Sequence, residues 1–150
     1  MSLADAIAAA LAELRQMAGV KQVPEDNTET LSEFPVILSY PDAADYAVKM
    51  HRGAGGAPVW EATYGVTFVW CDEATDEATN VRRATEALDT MALLLVGAWN
   101  RDRWDGTIYS LESVGLDNYG YLDDPNPRHF VAGLGVTFKI LHNNIRGLKG

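Results

Sequence analysis

Three histidines are the first candidates for metal binding or proton transfer in this chain. His51, His129 and His142 are scattered, with no HxxxH or HExxH spacing to set two imidazoles on one ion. Each reads as a structural or surface residue. Asp72, Glu73, Asp76 and Glu77 cluster in sequence and offer the oxygens a hard cation takes. They lack the spacing and turning glycine of a calcium loop, and read as the solvated, acidic start of a helix. The single cysteine, Cys71, follows Val69 and Trp70 at the end of an apolar run. It reads as a buried thiol, not a nucleophile. It has no intrachain disulfide partner, and such cysteine usage fits a reducing compartment. There is no G-x-S-x-G motif and no dinucleotide fingerprint. No catalytic, cofactor-binding or metal-ligating residue is assigned, and the chain is read as a non-enzyme without cofactor.

Two further segments invite a nucleic-acid or phosphate reading. Gly53-Ala54-Gly55-Gly56-Ala57-Pro58 is glycine-rich, but it lacks the Gly-Lys-Ser/Thr ending and the following helix that phosphate binding needs. It reads as a hairpin tip, flexible over about 52–58. Trp99-Asn100-Arg101-Asp102-Arg103-Trp104-Asp105-Gly106 pairs aromatic and basic residues as a base-stacking platform does. Asp102 and Asp105 weaken its positive field, so it reads as a packed loop with Arg–Asp pairs. The net charge is −9, with 21 acidic against 12 basic residues. That balance argues against gripping a phosphate backbone. It does not exclude a protein past which DNA slides, since a negative wall repels phosphates.

The elements that must position these residues follow from periodicity. At 150 residues the chain fits one domain over 1–150, large enough for a core without disulfides or metal. Ser2 and Asp5 form a capping-box-like pair, Ile7, Leu11 and Leu14 make a helical stripe, and Gly19 is the expected stop. Val20 and Val23 read as extended, and 25–33 as an acidic loop. Phe34 to Tyr40 is a strand with Pro35 near its start, and Pro41-Asp42 is a turn signal. Ala44 to Arg52 alternates weakly and leads through the glycine tip into a long strand, Val59 to Cys71. Tyr64, Val66, Phe68 and Trp70 share one face of that strand. Thr75 is the expected cap of a long helix with Val81, Ala84, Leu88, Met91, Leu95 and Ala98 in one stripe. Thr107 to Val114 reads as a strand and Gly115 to Tyr121 as another strand or a turn. Asp123 to Pro127 is a break. His129 to Leu141 is a last strand, and a polar tail occupies about 143–150. The fold class expected is α+β: a mixed, mainly antiparallel sheet of about four to five strands, with an N-terminal helix and one long central helix on one face.

Two features bear on assembly. Leu93, Leu94 and Val96 make the end of the long helix apolar nearly all round. Such an end must be covered on every side; the sheet is one cover and a neighbouring subunit the other. With Trp99, Arg52 and Trp60 they form the expected oligomer interface. Gly65-Val66-Thr67-Phe68 also recurs as Gly135-Val136-Thr137-Phe138, suggesting two long strands, set as neighbours, under the same helical layer.

The order of elements resembles the tail terminator, or tail-completion, proteins of long-tailed bacteriophages. The likeness rests on the Ser2-Leu3-Ala4-Asp5-Ala6-Ile7 helix ending at Gly19-Val20, and on the Phe34-Pro35-Val36-Ile37…Tyr40-Pro41 segment. It continues through the glycine-rich hairpin, the long helix and the Gly135-Val136-Thr137-Phe138-Lys139-Ile140 strand, covering about Ser2 to Leu141. It implies a small mixed sheet with helices on one side, and a homohexameric ring that caps the tail tube and stops its growth. It implies contacts with the tail tube protein and the head-side connector, and DNA passing through the lumen without specific binding. It carries no catalytic residues. The location implied is the virion neck, assembled in the host cytoplasm; no membrane span is expected, and the start does not read as a signal peptide.

Two other readings compete. A head-closure or head–tail adaptor protein does the same class of work at another ring. A small-molecule-binding module would hold a pocket between sheet and long helix, with Tyr64, Trp70, Tyr109 and Phe138 as its candidate lining.

Overall fold

A computed structural model describes residues 2–24, 33–52, 58–122 and 129–142, with the side chains of 48–52, 58 and 122 outside the description. The expected acidic loop over 25–33, the hairpin tip over about 52–58, the 123–127 break and the 143–150 tail lie wholly or largely outside the described residues.

The first helix, α1, spans Leu3–Leu14. Ser2 caps it: its hydroxyl accepts from the Asp5 N–H and its own N–H donates to the Asp5 carboxylate, both at 3.1 Å. Ala6, Ala10, Leu11 and Leu14 are buried. Gly19 takes the positive φ expected of it, +86°, but the helix has already ended. Gln16 and Met17 tighten into bonds with Glu13 and Leu14, three residues back.

The sheet is four-stranded and antiparallel, in the order β1-β2-β4-β3. The strands are β1 (Val36–Arg52), β2 (Pro58–Glu73), β3 (Ser110–Leu122) and β4 (His129–His142). Pro41-Asp42 is not a turn. β1 runs through it with a register shift between Pro41 and Ala43. β1 is an edge strand, so a residue without N–H is tolerated there, as is a bulge. Gly115 to Tyr121 likewise continues β3, with an irregularity between Leu116 and Tyr119.

The repeated tetrapeptides are partners. Val66 lies opposite Val136, Gly65 opposite Thr137 and Thr67 opposite Gly135. Tyr64, Val66, Phe68 and Trp70 join Phe130, Ala132, Leu134, Val136, Phe138 and Ile140 in one buried cluster beneath both helices.

The long helix, α2, spans Glu77–Gly106. Its N-cap is Asp76, not Thr75. The Asp76 carboxylate accepts from the Thr79 N–H at 2.9 Å and hydroxyl at 2.7 Å, and a negative cap also suits the helix dipole. Thr75 is engaged elsewhere: its N–H donates to buried Asn80 at 2.8 Å. Asn80 in turn donates to the Tyr121 hydroxyl at 3.2 Å, tying the start of α2 to β3.

The segment expected as a loop from Trp99 is helical to Arg101, then reverses hand. Arg103, Trp104 and Asp105 have φ between 54° and 57°. Residues with a Cβ resist this conformation by roughly 1–2 kcal/mol each. Trp104 offsets it. The indole is buried, donates to the Leu95 carbonyl at 2.9 Å, and lies 5.1 Å from the Phe138 ring. The Asp102 carboxylate accepts the Asp105 N–H at 3.0 Å. The expected Arg–Asp pair is present as Arg101 with Asp102, at 3.1 Å.

Candidate assembly surfaces

α2 buries one stripe: Ala84, Leu88, Met91, Leu95 and Ala98. Its opposite side should be polar in a helix that ends at water. Leu93 is instead 67 % exposed and Val96 39 % exposed. Thr85, Asp89, Ala92 and Val96 follow at i, i+4, i+7 and i+11, so they share one face. That face looks along β3.

β3 is the other edge strand, and it carries exposed apolar residues of its own. Leu116 is 70 % and Tyr119 64 % exposed, and Tyr121 is also exposed. Five of the eight large apolar side chains exposed among the described residues therefore sit on α2 or β3. Singly exposed apolar residues mean little, whereas several on two adjoining elements mark a candidate interaction surface. Between the two elements lies a trough of about 340 Å3, lined by Leu88, Ala92, Val114 and Leu116, with Glu86 and Asp89 beside them.

The six expected interface residues do not form one patch. Leu93 and Val96 lie on the exposed side of α2. Trp99 is half-buried against the core, with the Arg103 guanidinium 5.5 Å from its ring centre. Leu94 is also half-buried and follows Ala87 and Thr90 at helical spacing. It therefore faces the opposite flank, where those two line an open cleft of about 470 Å3 together with Trp70 and Arg83. Trp60 is half-buried at the far end of β2, opposite Val48 and His142. Arg52 ends β1 opposite Pro58, and its side chain is outside the described residues. Leu116, Tyr119 and Tyr121 were not expected. The alternation Tyr119-Gly120-Tyr121 was the available signal, since a period of two sets both rings on one face of a strand.

The candidate pocket lining is packed core, with the Tyr64 and Phe138 rings 6.0 Å apart in one cluster with Trp70. Tyr64, Trp70 and Phe138 are buried core residues and Tyr109 is exposed. Trp104 packs on Phe138, filling space beneath α2. Burial raises the Tyr64 phenol well above its ordinary value, with the Tyr46 hydroxyl adding to the shift. It therefore stays a neutral phenol at physiological pH, and its hydroxyl is hydrogen-bonded to His142 Nε2 at 3.0 Å.

Charged side chains are paired across elements. Lys139 on β4 bridges Glu61 on β2 at 2.8 Å and Glu112 on β3 at 3.2 Å. These carboxylates, Glu61 foremost, raise the Lys139 ammonium above its ordinary value. Arg101 joins α2 to buried Glu13 on α1. Among the described residues no group of three or more His, Cys, Asp or Glu is placed to hold a metal ion. No described helix is long and apolar enough to cross a membrane.

The chain matches no protein-family model and no curated protein.

Proposed function

We propose that this chain is a structural ring subunit of a phage neck, a tail terminator that caps the head-proximal end of the tail tube. In this reading, copies associate through the exposed side of α2 and edge strand β3. The single observation that carries it is the contrast along α2. Leu95 is fully buried while Leu93 and Val96, on the same helix, are exposed. Exposed apolar surface favours association, and head-to-tail contact between identical subunits makes a ring where the rotation closes.

The acidic balance of the chain, −9, supports a lumen that does not hold DNA. A ring standing at the head-closure or adaptor position fits the same surfaces. Electron microscopy of the purified protein tests the reading. Closed rings with a central channel, able to cap purified tail tubes and stop their elongation, are the expected result. Single particles without rings, on or off tubes, would contradict it.

A further inference from the structure

We draw no further inference here: the strongest candidate, the apolar trough between α2 and β3 lined by Leu88, Ala92, Val114 and Leu116, belongs to the assembly surface already described, and nothing among the described residues shows what covers it.

Discussion

The Trp104 indole donates to the carbonyl of Leu95, 2.9 Å away and nine residues earlier on the same helix. This bond and the burial around it hold the left-handed turn that ends α2. They also fix the helix segment whose outer side carries Leu93 and Val96. Trp104→Ala should lower stability by about 3–5 kcal/mol in urea unfolding, the usual cost of emptying a large aromatic site. Arg103→Gly should act in the opposite direction, by about 1 kcal/mol, because glycine adopts φ near 55° without a Cβ penalty.

Exposure divides α2 into two classes of position. Leu93→Asp and Val96→Asp should each leave the monomer within about 0.5 kcal/mol of the parent, as surface changes do, while abolishing the oligomer. Leu95→Asp should prevent folding, because its carboxylate would be buried without a partner. Circular dichroism melts alongside sedimentation velocity read both effects. A folded Leu93→Asp variant with unchanged assembly would remove this surface from the interface.

Sequence periodicity made the two helices, the long strands and their inward faces legible, since amphipathic stripes and alternation follow directly from backbone geometry. It did not reveal that β1 runs through Pro41. Proline is a turn residue unless the strand lies at a sheet edge, and edge position is a property of the whole topology. The reversal at Arg103 was hidden for a similar reason. Left-handed non-glycine residues are unfavourable locally, and only the tertiary burial of Trp104 stabilises them there. Leu93 and Val96 were legible as surplus apolar residues on a helix. The exposure of Leu116 and Tyr119 was not, because it depends on β3 being an edge strand.

Acid should destabilise the fold through identifiable carboxylates. Asp76 is held below its ordinary value of 3.8 by the Thr79 hydroxyl and then its N–H. Asp102 is lowered by the Asp105 N–H and then Arg101, and Glu112 by the Ser110 hydroxyl and then Lys139. A folded value below the unfolded one means the unfolded chain binds the proton more tightly. The stabilisation is therefore complete above the unfolded value and lost as pH falls through the folded one. The urea midpoint should fall as pH drops below 3.8, the ordinary value at Asp76. The Asp76→Ala variant should start lower and fall less. Lys139 works in the opposite sense: its raised value gives stabilisation below 10.5 that is lost at higher pH.

The glycines of β3 and β4 differ in what they tolerate. A Cβ at Gly133 would lie 3.2 Å from Thr67 Cγ2 and 3.3 Å from Asp117 Cβ, whereas one at Gly115 meets nothing within 4 Å. Gly133→Ala should therefore destabilise by about 1 kcal/mol or more through crowding. Gly115→Ala should be neutral or stabilising by about 0.5 kcal/mol, because it restricts the unfolded chain. Paired thermal melts of the two variants check the order.

The most direct test is the mass of the purified full-length protein by light scattering over a concentration series. The account predicts a discrete species near six times the 16.4 kDa of one chain, reduced to one chain by Leu93→Asp. A parent protein that stays at the mass of a single chain across the series would contradict it.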